Sequence, residues 1–332
     1  MTKHSMVCAG IDTSKCKLDV RVNRGSDRVR IDNAPSDFER LSAWLREHQA
    51  KRVGIEASGG YEKAVVAWLR HDGFVVVVWQ PGEVRAFAQF RRQRAKNDDI
   101  DAHLIALCTA AKEKLHAPPD PRLVSLAEHQ TLIDQIDTEI TRFKSYLNSP
   151  CGDPRGRDFW EAELKRFKKL KKDQLKQLVA AIRKHRDLAE RLDLIASIDG
   201  IGLPTAVAIL VRMPEIGRIT RQQAAALVGV APYDNDSGEH KGDRHIWGGR
   251  WRLRRALYKA ALAASMHWNP QLIVLYKRLI AAGKCHQAAL VACARKMIVF
   301  ANAVVARGTP WTPRGDLLTP GLRQLHLVAY RQ

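Results

Sequence analysis

The sequence is short of acid and has no paired cysteines. Its 332 residues hold 35 Asp and Glu against 55 Lys and Arg, a formal net charge of +20. A deficit of that size argues against a basic partner and for a polyanionic one. The six cysteines, Cys8, Cys16, Cys108, Cys151, Cys285 and Cys293, include no C-x-x-C pair. Their scatter argues against a disulfide frame or a zinc site and for reduced thiols. No apolar run approaches membrane-spanning length, and Met1-Thr2-Lys3-His4-Ser5 lacks an apolar signal segment. The expectation is a cytoplasmic protein with no membrane partner.

What is present suggests about two domains, since domains commonly run roughly 100–200 residues. Met6 to Ile11 is an apolar run ending at Asp12. Leu18, Val20 and Val22, then Val29 and Ile31, alternate with polar residues, as strands do. Ser36 is placed to cap a helix with Phe38, Leu41, Trp44 and Leu45 on its apolar face. Val53 to Glu56 is the next strand, and the glycines of Ser58-Gly59-Gly60 lead into a helix over 61–71 with Val65, Trp68 and Leu69 inward. Phe74 to Trp79 has the pattern of a fully buried strand, stopped by Pro81. A helix follows from about Glu83, then the basic segment Arg91 to Asn97, then a helix from Asp98 to about Lys114. Three early strands followed by strands alternating with helices is the order of an RNase H-like α/β domain over 1–117.

Pro118-Pro119-Asp120-Pro121 ends that domain, and within the next region, 118–192, the pattern is helical from Ser125 to Leu192. Leu126, Ile133, Ile136, Ile140, Phe143 and Leu147 form one stripe, and Phe159, Leu164, Phe167, Leu170, Leu175, Leu178 and Ile182 a second. Two long amphipathic helices joined by a break at 149–154 predict an antiparallel or interchain coiled coil. Its lysine-rich outer face is either a solvated surface or a nucleic-acid contact. Over 193–332 the chain is mostly helical. Ile198-Asp199-Gly200-Ile201-Gly202 resembles a helix-hairpin-helix, whose Gly200 and Gly202 would let backbone approach a phosphate. The alternative is a packing hairpin. An exposed polar loop follows around Ser237, and a helix starts at Arg250 with Arg252, Arg254 and Arg255 in its first turns. Cations there oppose the helix dipole, a cost that phosphate would offset. The segment after Gly308 is expected to be loose.

Four carboxylates stand out. Asp12 and Glu56 lie at strand ends, and Asp98 and Asp101 share a helix face at i, i+3. Converging, they could hold Mg²⁺, which prefers oxygen ligands and keeps waters. Two such ions roughly 3.5–4 Å apart would suit phosphodiester exchange. Asp99 is turned about 100° from Asp98 and off that face. Ser237, followed by Gly238, is by itself an ordinary turn residue. Its setting among Lys241, Arg244, His245 and Arg250 makes it a candidate nucleophile, which needs cationic stabilisation of a phosphate. The candidate nucleic-acid contacts are Arg91, Arg92, Arg94, Lys96, Lys241, Arg244, Arg250, Arg252, Arg254 and Arg255, with Gly200 and Gly202.

Gly10-Ile11-Asp12-Thr13-Ser14-Lys15, Ile55-Glu56-Ala57-Ser58-Gly59-Gly60-Tyr61, 81–88 and Lys96-Asn97-Asp98-Asp99-Ile100-Asp101-Ala102 resemble the DEDD-type insertion-sequence transposases, which include Piv-type DNA invertases. So do 197–202, Val228-Gly229-Val230-Ala231-Pro232, Asp236-Ser237-Gly238 and 253–258. The resemblance implies a RuvC-like domain, a coiled coil and a C-terminal transposase domain. It implies that Asp12, Glu56, Asp98 and Asp101 are a metal-binding tetrad and that Ser237 forms a covalent phosphoserine link to DNA. It also implies a structured bridge RNA pairing with donor and target DNA, and a homodimer or homotetramer. Asn97 departs from the Thr or Ser common before the first Asp of the pair. Two other functions fit the same residues: a RuvC-like metal nuclease without serine chemistry, and a non-catalytic nucleic-acid-binding protein.

Overall fold

A computed structural model describes residues 6–93, 98–115, 120–149, 154–237 and 240–313. The chain divides into two units, Met1–Ala117 and Pro118–Gln332.

In the first unit β1 (Cys8–Thr13), β2 (Lys17–Val22), β3 (Arg28–Asp32), β4 (Arg52–Glu56) and β5 (Val75–Trp79) form one sheet in the order β3-β2-β1-β4-β5. The β1–β2 and β2–β3 pairs are antiparallel, and the β1–β4 and β4–β5 pairs are parallel. β1 is central and covered on both faces, so it reads as a continuous apolar run. On one face Ile11, Leu18, Val20, Val53 and Ile55 pack against α1 (Phe38–Glu47) and α2 (Lys63–His71). Each such side chain contributes roughly 1.5–3 kcal/mol by its burial. The other face is covered by α4 (Asp98–Ala111), which follows α3 (Pro81–Phe90).

Several expectations fail locally. Ser36 does not cap α1: Pro35–Asp37 forms a short 3₁₀ turn, and the Ser36 hydroxyl donates to Asp37. The second helix starts at Lys63, with Val66 inward and Trp68 partly exposed. β5 is an edge strand, so Val75 is exposed and only Val77 and Trp79 are buried. Pro81 begins α3, where its missing N–H is no loss.

The second unit contains α5 (Pro121–Asn148), α6 (Pro154–Arg183), α7 (Arg186–Ala196), α8 (Leu203–Arg212) and α9 (Arg221–Val228). After a β-hairpin arm come α10 (Trp251–Ala263), a π-helical turn (Ala264–Trp268), α11 (Pro270–Ala281) and α12 (His286–Arg307). The long helices α5 and α6 pack along each other within the chain, and a second break at His185 makes three helices where two were expected. Leu123, Leu126 and Ile133 of α5 and Leu178 and Ile182 of α6 share one core with α7 to α12. Farther along the pair, Phe143 packs on Trp160 at 5.6 Å and on Phe167 at 5.1 Å.

The hairpin between α7 and α8 packs on its own protein. A Cβ at Gly200 would lie 2.3 Å from the Ala264 Cβ. The chain past Gly308 is anchored at first: Trp311 is buried, and its N–H donates to Ser197 Oγ at 2.9 Å. Residues beyond 313 lie outside the described ones. The expectation of no membrane-length run also meets an exception. α12 is 22 residues and holds an 18-residue window of mean hydropathy 1.7, long and apolar enough to cross a bilayer. Half of that window is buried, and Leu290, Met297 and Ile298 lie in the core of the second unit.

Candidate functional site

Strand alternation puts Asp12 on the same sheet face as Gly10, and Glu56 on the same face as Gly54. The parallel register pairs Gly10 with Gly54, so the two acids end adjacent strands side by side. That face is the one under α4. A Cβ at Gly10 would lie 2.1 Å from the Ala102 carbonyl oxygen and 2.3 Å from the Ala106 nitrogen. A Cβ at Gly54 would lie 1.9 Å from Thr109 Oγ1. The helix therefore rests on bare backbone, and its turn before Ala102 brings Asp98 and Asp101 over the strand ends.

The C-terminal end of α4 is held. Trp79 Nε1 donates to Thr109 Oγ1 at 2.8 Å, and Arg52 Nη1 donates to the Thr109 and Lys112 carbonyls at 3.3 and 2.8 Å. A cation at its C-terminal end and three acids in its first turn both suit the helix dipole. The turn after Glu56 is fixed in another way. Gly59 and Gly60 take φ of +75° and +112°. The Glu62 carboxylate accepts from the Ser58 and Gly60 N–H groups at 3.0 and 2.9 Å. Burial pushes Glu62 up, but these backbone donors more than offset it and hold the group below the usual carboxylate range.

Burial, followed by the charges of Asp101, Glu56, Asp98 and Asp19, pushes the Asp12 carboxyl up to about 6. Like charges shift a carboxyl in this way only when they lie close, so Asp12 senses all three other members of the expected set. Among the described residues no three His, Cys, Asp or Glu side chains close onto one ion-sized point. Oxygen donors that repel one another, one of them partly buried, are a fitting set for a hard divalent cation. Asp12, Glu56, Asp98 and Asp101 could hold one.

Asp99 faces elsewhere. Its carboxylate meets Arg21 at 2.6 Å and Arg28 at 3.5 Å. Arg30 bridges Asp19 at 2.7 Å and Asp98 at 3.4 Å. Asp19, Arg21, Arg28 and Arg30 thus line the α4 face of β2 and β3, beside the carboxylates. The signal for them was present as the polar half of the strand alternation. Asp99→Asn is expected to lower thermal stability by about 1 kcal/mol, as for an ion pair near the surface, while leaving activity within about threefold. A melting curve beside a cleavage assay checks this.

The segment around Ser237 is a β-hairpin arm, where the sequence suggested an exposed polar loop. β6 (Pro232–Tyr233) pairs with β9 (His245–Ile246), and β7 (Asp236–Ser237) pairs with β8 (His240–Lys241). Ser237 is exposed and in register with His240. Arg244 braces the arm through Asp234 at 2.6 Å. At its base Arg254 Nη1 donates to the Gly248 and Gly229 carbonyls at 2.7 and 3.2 Å.

The arginines that open α10 are met by the protein's own acids. Arg250 binds Glu215 through both nitrogens at 2.6 and 2.8 Å, and Arg255 reaches Asp137 at 3.3 Å. Arg252 approaches Asp134 at 3.7 Å. Phosphate is therefore not required to offset their position at a helix N-terminus. Arg91 and Arg92 are exposed at the end of α3. Gly202 caps α8 with an ordinary negative φ of −71°. Arg94, Lys96, Asn97 and Gly238 lie outside the described residues, as does the Lys241 side chain.

Comparison with known proteins matches both units. Residues 9–150 match a model of the DEDD domain of IS110 elements, described as a transposase. Residues 192–277 match the model "Transposase IS116/IS110/IS902 family". The chain is also similar to the insertion element IS110 uncharacterized 43.6 kDa protein of Streptomyces coelicolor. The two are 32% identical over 122 residues, which is 36% of this chain and 30% of that protein. The match spans under a third of that relative's length.

Proposed function

The chain belongs to the IS110 family of transposases, and on that premise we propose that it cuts and rejoins DNA strands for an insertion element. The reaction would centre on Asp12, Glu56, Asp98 and Asp101 in a RuvC-like site on an RNase H-like fold over 1–117. The observation that carries this is the seat of α4 on Gly10 and Gly54, which brings Asp98 and Asp101 over the strand ends that hold Asp12 and Glu56. The four carboxylates would bind a divalent ion, Mg²⁺ by preference for hard oxygen donors. When bound, such an ion stabilises the attacking and leaving oxygens of phosphodiester exchange. The chain's own groups keep that set in place: Glu62 fixes the turn carrying Glu56, and Arg52 and Trp79 fix the helix carrying Asp98 and Asp101.

A finer reading gives Ser237 the nucleophile's part, supported by its exposure on the arm. Its Oγ would form a bond to phosphorus as a sugar oxygen departs with the bonding electrons. The hydroxyl proton would pass to solvent, and the leaving oxygen would take one up. A bridge RNA pairing with donor and target DNA belongs to this reading. So do assembly as a homodimer or homotetramer through 118–192, a transposase domain over 193–332, and a cytoplasmic location.

End-labelled donor DNA, the co-purifying RNA and Mg²⁺ are incubated with wild type, Ser237→Ala and Asp101→Asn, then run on a denaturing gel. A protein–DNA adduct lost in Ser237→Ala establishes the serine step. Cleavage that survives Ser237→Ala but not Asp101→Asn leaves the metal-nuclease chemistry alone. No strand chemistry in wild type overturns both.

A further inference from the structure

The second unit holds a cleft that neither the carboxylate site nor the serine arm uses. It lies between α5, α6, α8 and α10 and encloses about 170 Å³. Five cations line it, Lys171, Arg212, Arg252, Arg255 and Lys259, against two carboxylates, Asp134 and Asp137. The cations are graded in depth: the Arg212 side chain is 15% exposed and that of Lys259 56%.

The two acids are overcommitted. Asp137 receives Lys171 at 2.5 Å, Lys259 at 2.9 Å and Arg255 at 3.3 Å. Asp134 receives Arg212 at 2.6 Å and the Gln130 amide at 3.0 Å, and Arg252 stands off at 3.7 Å. That last distance is too long for a hydrogen bond, and the buried Arg252 Nη1 has no hydrogen-bond partner. An orphaned buried guanidinium N–H beside an excess of cations marks a place prepared for an anion. Trp251 lines the same cleft and is 55% exposed, with Arg252 5.2 Å from its ring centre. An exposed indole next to guanidinium groups is what an unpaired base stacks on.

We infer that this cleft receives a backbone phosphodiester of a nucleic-acid strand, with Arg252, Arg255 and Lys259 as its ligands and Trp251 beside the adjoining base. The inference rests on the reading of the chain as acting on nucleic acid, but it requires no strand cleavage. Asp137 is then the anion that the phosphate displaces from the rim cations. Burial pushes the Asp137 carboxyl up, yet Lys171 and Lys259 hold it down at about 2, so it competes at every working pH.

Full-length protein in EDTA is titrated with labelled single-stranded DNA, and with RNA of the same sequence, over a range of salt. Wild type is compared with Lys259→Ala, Lys259→Arg, Asp137→Asn and, on an exposed loop, Lys284→Ala. Lys259→Ala is expected to weaken binding about tenfold and to lower the slope of log K against log salt by about 1. Lys259→Arg should restore both, and Asp137→Asn should tighten binding severalfold. A purely structural acid would show the opposite sign. Inorganic phosphate at millimolar level should displace the strand from wild type more readily than from Lys259→Ala. Tighter binding of DNA or of RNA identifies the strand, and either outcome supports the site. Equal salt slopes for Lys259→Ala and Lys284→Ala, weaker binding by Asp137→Asn, or displacement by an acidic peptide and not by phosphate would overturn it. A loss of cleavage with these shifts intact would count against the transposase reading alone.

Discussion

Asp101→Asn and Asp12→Asn are each expected to lower metal-dependent DNA cleavage by at least about 100-fold, more than the loss of a residue supporting a metal ligand. Neither change should unfold the first unit. Asp101 lies in the first turn of α4, whose hold on the sheet comes from Ala102, Ala106 and Thr109 farther along. Asp12 is more informative, because its charge works against the fold. The Asp12 carboxyl is raised from 3.8 to about 6 by burial and then by its neighbours' charge. A raised acid destabilises the folded state fully above its folded value and not at all below its unfolded one. Asp12→Asn should therefore melt above wild type at neutral pH without metal. The advantage should shrink as pH falls through 6 and vanish by about pH 4. Added Mg²⁺ should reverse the order by raising wild type alone. Scanning calorimetry at both pH values, with and without Mg²⁺, reads all of this. Identical melting of the two proteins under every condition would remove the carboxylate cluster as the metal site.

The parts of this site visible in the sequence are those set by local periodicity. Asp12 and Glu56 follow apolar runs, and i, i+3 spacing separates Asp98 and Asp101 from Asp99. The parts missed are set by contacts between distant residues. Arg21 reads as the polar half of a strand, and its partner Asp99 is 78 residues away. Arg250 looked like a cation in need of phosphate because Glu215, 35 residues earlier, could not be placed beside it. The arm around Ser237 uses strands of two residues, too short for any alternation to register. Val75 to Trp79 shows the opposite failure, because a run of valines looks the same in a central strand and at an edge. Ser36 had the chemistry of a cap, but Pro35 began a tighter turn first.

The close seat of α4 yields the other large effect. Gly10→Ala is expected to destabilise the first unit by about 3 kcal/mol or more, the upper range for overpacking, and to abolish cleavage with it. The added methyl would meet Ala102 O at 2.1 Å and Ala106 N at 2.3 Å, both helix backbone, so relief requires the helix to move. Such a movement displaces Asp98 and Asp101 from the strand ends. Gly54→Ala clashes as closely, at 1.9 Å, but against the Thr109 hydroxyl. A side chain can turn or be removed. Thr109→Ala should therefore restore much of the stability lost in Gly54→Ala, less about 1–3 kcal/mol for leaving the buried Trp79 indole N–H without its acceptor. No partner substitution at Ala102 or Ala106 should rescue Gly10→Ala, because removing their side chains leaves the offending backbone in place. A double-mutant cycle read by urea unfolding separates the two cases. Rescue at 54 without rescue at 10 would mean that helix backbone on strand backbone sets the spacing of the carboxylates. Wild-type stability in Gly10→Ala would show that α4 is free to stand off the sheet, and the four acids would lose the support that brings them together.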